Sequence, residues 1–288
     1  MLKHYRQPFK FYLLSALIPW TLWSIAAFLS HQPGAERYKV WIGLLSLAGL
    51  SGPLLVAVAM ICRDRLLKYD NARRLFAVPR GKRCYLVAAL VLMPASILLA
   101  MGISLLFGYD RSQFAITGQA TFSSAFFPVW FLLIVAPILE ELAWHSYGTD
   151  SLRQRFSLFT TSMLFALYWG LWHMPLAMIN GYYHSNLVVE GSLHAINFLV
   201  SIFPFVLLMN WLYYRSGRNI LVTVALHMGA NVFNEIFATH PDSKIIQTVL
   251  LLALSIVLLL VYRKEFFSND RPNQVVRCLP DSGIIQPV

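Results

Sequence analysis

Apolar residues run in eight long blocks along the chain, and polar residues gather almost wholly between them. The blocks read as Phe9–Leu29, Val40–Cys62, Cys84–Phe107, Ala125–Tyr147, Leu158–Ile179, Ala195–Tyr214, Asn219–Phe237 and Ile245–Tyr262. Each is close to the ~20 residues that an α-helix needs to cross a hydrocarbon layer about 30 Å thick. Backbone groups in lipid must satisfy one another within the segment, so spans of this kind are helical. The pattern predicts an all-α fold, a polytopic membrane helical bundle with about eight transmembrane helices. Residues 1–265 form a single transmembrane domain on this reading. Residues 266–288 are expected to be a disordered cytoplasmic tail, since their polar, proline-containing sequence has little to bury.

Composition agrees with the pattern and excludes a soluble domain. The chain is 58% hydrophobic and 12% charged, against about 45–50% and 25% in soluble proteins. Charge then orients the spans. With the N-terminus inside, 19 of the 23 Lys and Arg residues fall on the cytoplasmic side, the largest group being RDRLLKYDNARRLFAVPRGKR between the second and third blocks. Both termini are therefore expected in the cytoplasm. The net charge of +10 is explained by topology and by contact with anionic membrane lipids, so no nucleic-acid partner is implied. The first block is too long for a signal-peptide core and is read as a retained span. Cys62, Cys84 and Cys278 lie on the predicted cytoplasmic side, where thiols stay reduced. No eukaryotic targeting feature is visible, which points to the plasma membrane of a bacterium or archaeon.

The chemistry sits where polar residues interrupt the apolar blocks. Glu140 and Glu141 are adjacent carboxylates near the end of the fourth block. A charge near mid-membrane costs about 2.5–3.5 kcal/mol on insertion scales, so such a residue pairs, titrates or lines a cavity. In EELAWHSYG, Glu141 and His145 are one helical turn apart, while Glu140 points about 100° away, so the two carboxylates have different partners. Trp169 and His173 share a face of the fifth block. His227 and Asn231 share a face of the seventh, in a polar stripe that continues to Asn234 and Glu235. Singly, each has a duller explanation. A membrane histidine commonly bridges helices, Trp144, Trp169 and Trp172 suit packing, and Glu235 and His240 lie near the outer end of their block, where solvation suffices.

Taken together, these residues resemble the CAAX prenyl protease and bacteriocin-processing (CPBP, Abi) family of intramembrane endopeptidases. That family's pattern is a Glu-Glu pair with Arg four residues after the second Glu, then an aromatic with His four residues on, then His with Asn or Asp four residues on. Glu140 and Glu141, Trp169 and His173, and His227 and Asn231 match it in order and spacing over about residues 125–237. One position departs, since His145 stands where the family carries arginine. The resemblance implies hydrolysis of a peptide bond in a peptide or a prenylated or membrane-anchored protein. Glu140 would activate water, His173 would position or protonate it, and His227 with Asn231 would form the oxyanion site, supported by Glu141, His145 and Trp169.

Cofactors follow less directly. Glu140, His173 and His227 are also a zinc-type donor set, and residue spacing alone leaves a zinc mechanism and a metal-free one open. No cofactor is the expectation that the resemblance implies. From the block boundaries, Glu140 and His227 lie ~11 Å from the cytoplasmic end and His173 ~22 Å, which places the site in the cytoplasmic half to middle of the membrane. A proton-coupled transporter and a catalytically inactive membrane scaffold are the alternative readings.

Overall fold

The computed structural model describes residues 1–75, 78–118, 120–123 and 126–268. Its helices are α1 (Pro8–Ser30), α2 (Lys39–Ile61), α3 (Arg65–Arg74), α4 (Arg83–Ser104), α5 (Val129–Ala143), α6 (Thr149–Arg153), α7 (Leu158–Trp172), α8 (Tyr183–Glu190), α9 (Ser192–Arg215), α10 (Ile220–Ile236), α11 (Pro241–Val261) and α12 (Arg263–Phe267). Every apolar block is helical, and the described residues contain no strand beyond an antiparallel bridge between Ile116 and Phe237. Six helical stretches are long and apolar enough to cross a membrane. A seventh is counted if α7 and α8, bent by 81°, form one broken span, and the eighth block is the shorter apolar helix α10, of 17 residues. Large apolar side chains such as Leu55, Val87, Leu99 and Leu260 cover the outside of the bundle, where lipid is their natural solvent.

The break after α7 has a local cause. Pro175 lacks a backbone N–H and cannot extend an α-helix; the chain tightens into a 3-10 turn over Met174–Met178. It then reverses at Gly181, whose φ of +74° is open to glycine at little cost.

The fourth span runs on past its expected end at Tyr147. A π-helical turn, Trp144–Gly148, joins α5 to α6, and the whole stretch Val129–Arg153 is 25 residues long. A π-turn upsets the regular pairing of carbonyls, and here neighbouring helices take them up. Arg74 Nη1 donates to the His145 carbonyl at 3.2 Å and Arg74 Nη2 to that of Ser146 at 3.3 Å, while the Tyr213 hydroxyl donates to the His145 carbonyl at 2.8 Å. At Gly148 the bundle closes tightly, since a Cβ would sit 2.7 Å from Cε1 of Phe11 on α1.

Arg74 belongs to a buried ionic cluster at the basic end of the bundle. Asp70 and Arg74 come from α3, Asp150 from α6 and Arg218 from the α9–α10 turn, and none exceeds 5% exposure. Arg218 bonds to Asp150 and, at 2.8 Å, to Asp70, and Arg74 Nη1 reaches Asp150 at 3.1 Å. The hydroxyls of Tyr5 and Tyr214 donate to Asp70 and Asp150 at 2.7 and 3.0 Å. Two cations face two anions, so the buried charges balance. α3 lies outside the membrane-spanning stretches. Burial pushes the Asp70 carboxyl up, but Arg74 and Arg218 outweigh it and hold it below the ordinary carboxylate range.

Several described members of the basic set meet one another. Lys82 donates to the Arg215 carbonyl at 2.6 Å and Arg155 to that of Arg6 at 3.3 Å. Helix α12 runs past residue 265, and its Phe266 is fully buried against Leu158 and Leu207. The rest of the expected tail, with Cys278, lies outside the described residues. Cys62 and Cys84 are free thiols.

Removing one member of the cluster strands the others. Arg218→Met is expected to destabilise the protein by about 3–5 kcal/mol. A carboxyl held low by cations contributes stability that is present above its unfolded pKa and lost as pH falls through the lowered value. With Arg218 gone, Asp70 titrates higher and acid unfolding should begin at higher pH than in the native chain. Thermal unfolding in detergent across an acid pH series reads both effects.

Candidate active site

A cavity of about 270 Å³ lies inside the bundle, and Glu140, Trp169, His173, His227 and Asn231 all line it. Three helices bring them there. Glu140 projects from α5, Trp169 and His173 from the end of α7, and His227 with Asn231, Asn234 and Glu235 from one face of α10. The polar stripe read from the sequence is thus one wall of the cavity.

The two carboxylates have separate partners, as their angular offset on a helix requires. Glu140 Oε2 accepts from the indole N–H of Trp169 at 2.8 Å and of Trp144 at 3.3 Å. Both donors hold the same oxygen, leaving Oε1 to the cavity. Glu141 is fully buried behind the cavity wall. Its Oε2 lies 2.5 Å from His145 Nδ1 and its Oε1 lies 2.9 Å from His227 Nδ1. One carboxylate therefore engages two imidazoles from different elements.

Tautomers follow from the partners. His173 Nδ1 lies 2.7 Å from the Trp169 carbonyl, which only accepts, so Nδ1 carries the proton. His227 Nδ1 donates to the Glu141 carboxylate by the same reasoning. Each ring leaves Nε2 for the cavity. Among the described residues, no hydrogen bond joins Glu140 directly to His173 or His227; the space between them is available to water and substrate. No three His, Cys, Asp or Glu side chains among the described residues are grouped to hold a metal ion.

His145 is fully buried and bonded at both ring nitrogens. Nε2 lies 2.9 Å from Asn210 Oδ1, and Asn210 Nδ2 donates to the Ser162 hydroxyl at 2.9 Å. Ser162 in turn donates to the Leu158 carbonyl. That chain turns the Asn210 oxygen toward His145, so Nε2 is a donor. Nδ1 meets the Glu141 carboxylate at 2.5 Å, so both ring nitrogens of His145 face acceptor oxygens. Asn210, a lone amide in the apolar run LLMNWLYY, was the visible signal for this link.

Three other features went unread in the sequence. Trp144 packs, as expected, and also holds Glu140. His184 of α8 stacks on His173 with ring centroids 4.9 Å apart and lines the cavity, although its setting in YYHSN resembles a loop. Glu235 is not solvated; it is 3% exposed, with Oε2 accepting from the Thr121 backbone N–H and hydroxyl at 2.8 and 2.9 Å.

Because the fourth span reaches Arg153, Glu140 lies ~20 Å from that end, level with His173 at ~22 Å. α10 begins below the surface, since Arg218 and Asn219 before it are each 2% exposed. The site lies partway along the helices, and its cavity continues past Glu235 and Lys244, away from the ionic cluster.

Comparison with known proteins follows the same residues. Residues 122–233 match the family described as type II CAAX prenyl endopeptidase, Rce1-like. Over 272 residues the chain is 34% identical to CAAX prenyl protease 2 of Methanococcus maripaludis, covering 93% of this chain and 99% of that protein. The matched segment contains Glu140, Glu141, His145, Trp169, His173, His227 and Asn231.

His145 offers Glu141 one ring N–H and uses its other nitrogen on Asn210, whereas an arginine would bring a planar fork of five donors. Groups facing His145 are Glu141 of α5, Phe165 of α7, and Asn210 and Tyr213 of α9. His145→Arg should preserve turnover, while His145→Ala should lower it. Rate profiles of the three forms in the same detergent decide this; an unaffected His145→Ala would refute the pairing role.

Proposed function

Because the chain belongs to the CAAX prenyl protease family, we propose that it is an intramembrane endopeptidase in which Glu140 activates water. Its substrate is a peptide, or a prenylated or otherwise membrane-anchored protein. The observation that carries the reading is the arrangement of Glu140, with Oε2 held by two indole N–H groups and Oε1 facing a cavity shared with Nε2 of His173 and His227.

The chemistry runs on these groups. Water bound between Glu140 Oε1 and His173 Nε2 loses a proton to Glu140 as its oxygen attacks the scissile carbonyl. His173, with Nδ1 tied to the Trp169 carbonyl, presents Nε2 as an acceptor and orients that water. Negative charge then develops on the former carbonyl oxygen. Asn231 Nδ2 donates to it, and His227 donates through Nε2 when doubly protonated. Glu141 makes that form of His227 affordable in an apolar interior by placing a carboxylate on Nδ1. Collapse of the tetrahedral intermediate breaks the C–N bond, and the proton held by Glu140 passes to the leaving nitrogen.

No step needs a metal, and we propose a metal-free reaction. His145 is engaged at both nitrogens, so its presence at the arginine position does not favour an inactive scaffold. The positive-inside rule supports a plasma membrane location with both termini cytoplasmic. On that orientation the cavity extends toward the outer half of the membrane.

A cleavage assay on purified protein with a fluorogenic peptide tests the mechanism. Glu140→Gln should reduce kcat by about a hundredfold to ten-thousandfold. Combining it with His173→Ala, His227→Ala or Asn231→Ala should add little, since residues acting as a unit are not additive. Exhaustive chelation should leave the rate unchanged; stoichiometric zinc that leaves and returns together with activity would overturn the metal-free proposal. Near-normal turnover of Glu140→Gln would overturn the glutamate base.

Orientation has its own test. Cys62 and Cys84 are exposed at the basic end of the bundle, so membrane-impermeant thiol reagents should label them in broken but not intact cells. Labelling from outside would reverse the assignment.

A further inference from the structure

A second cleft, of about 340 Å³, lies outside the hydrolytic site. Arg153 of α6, Trp211 and Arg215 of α9, and Lys264 and Glu265 of α12 line it. Arg153 and Arg215 each stand three residues from a member of the ionic cluster, Asp150 and Arg218 respectively, so the cleft opens at that end of the bundle. Leu260 and Val261, which end α11, are 72% and 66% exposed. The lipid-facing surface stops there, and the cleft begins about one turn further on, at Lys264.

What the described groups leave unsatisfied are donors. Arg215 Nε donates to the Tyr85 hydroxyl at 3.0 Å and Nη1 to Glu265 at 2.8 Å, and Nη2 has no hydrogen-bond partner among the described residues. The guanidinium is held in place by the rings of Tyr85, Trp211 and Tyr262, whose centres lie 5.8, 6.0 and 5.2 Å away. One helical turn earlier on α9, the indole N–H of Trp211 is buried and meets no acceptor among the described residues. Lys264 is exposed, and no described carboxylate pairs with its ammonium group. Guanidinium, indole N–H and ammonium groups only donate, so the ligand that completes them is rich in acceptor oxygens and negatively charged. Among the described residues Glu265 is the one carboxylate that lines the cleft, against three cations.

A phosphate group suits this set better than a carboxylate, because it presents more oxygens to donors that arrive from separate directions. Aromatic side chains beside basic ones, at the edge of a lipid-facing surface, point to a phosphate carried on a lipid. We propose that the cleft binds the phosphodiester headgroup of an anionic phospholipid, held by Lys264 Nζ, Arg215 Nη2 and Trp211 Nε1. The bound lipid ties α12 to α9. Since α9 also carries Asn210, occupancy steadies the helix that holds His145. The site is separate from the hydrolytic groups and does not depend on the protease reading.

The test incubates the purified protein, in a neutral detergent, with phosphatidylglycerol, phosphatidylcholine or inorganic phosphate. Retained lipid is read by native mass spectrometry, and Tm by thermal unfolding. Native protein should retain phosphatidylglycerol at least tenfold over phosphatidylcholine, with a raised Tm. Lys264→Gln, at an exposed position that the fold does not need, and Trp211→Phe, which keeps a ring, should each cut that retention at least threefold. Lys264→Arg should keep it. Lys68→Gln, which removes an exposed charge from α3, should leave it unchanged. Equal retention of the two lipids, or unchanged retention in either Lys264→Gln or Trp211→Phe, would overturn the site. An equal loss in Lys68→Gln would also overturn it, by showing that surface charge as a whole attracts the lipid. A rise in Tm with inorganic phosphate as large as with the lipid at the same concentration would overturn the lipid as occupant and make the cleft a free-phosphate site.

Discussion

The carboxylate of Glu141 is the joint on which the site hangs. Through one oxygen it holds His145 on its own helical stretch, and through the other His227 on α10. His145 passes the connection to Asn210 on α9, and Asn210 passes it to Ser162 on α7. Four separate helical stretches are thereby registered by directional bonds. In a bilayer this matters more than in water, because lipid tails are as apolar as the helix faces and hydrophobicity alone does little to choose one packing over another. Apolar contacts let these helices associate. The chain of polar bonds selects their rotation and height.

A second polar system supports the first from the basic end. The π-turn between α5 and α6 carries His145, and its carbonyls are taken by Arg74 and Tyr213. Arg74 is held in turn by Asp150 and Asp70, opposite Arg218. Burying four charges is expensive, and well-packed apolar residues often give equal or greater stability. What the cluster supplies is a defined partner for backbone groups that a regular helix would have paired itself. It also closes that end of the bundle, which leaves the cavity to develop toward the other.

The neighbouring glutamates show how one residue type takes two roles. Glu140 has only neutral indole donors, both on one oxygen, and faces open space. Glu141 has imidazole partners on both oxygens and no open space. The difference comes from the ~100° step between adjacent helical residues, which turns one side chain into the cavity and the other toward the helix packing. Aromatic rings finish the arrangement, since Trp169 touches Glu140 by its N–H and stands edge-on to His227 at 5.1 Å.

Sequence alone determined the class of fold, because apolar blocks of membrane-spanning length admit little besides helices. It also singled out polar side chains that turn out to line one cavity, since polar side chains in apolar helices are conspicuous. The i, i+4 pairing of Glu141 with His145 was legible because it is local. Tertiary structure decided what depends on distant residues meeting. Glu141 reaches His227 across 86 positions and Trp169 reaches Glu140 across 29. The span containing Glu140 continues beyond Tyr147, because Arg74 and Tyr213 accommodate a π-turn that no local pattern announces. Glu235, read as solvated from its place near a block's end, is buried because the segment with Thr121 folds over it. Periodicity and composition report on neighbours along the chain; burial and hydrogen-bond partners are set by neighbours in space, and only the packed bundle supplies those.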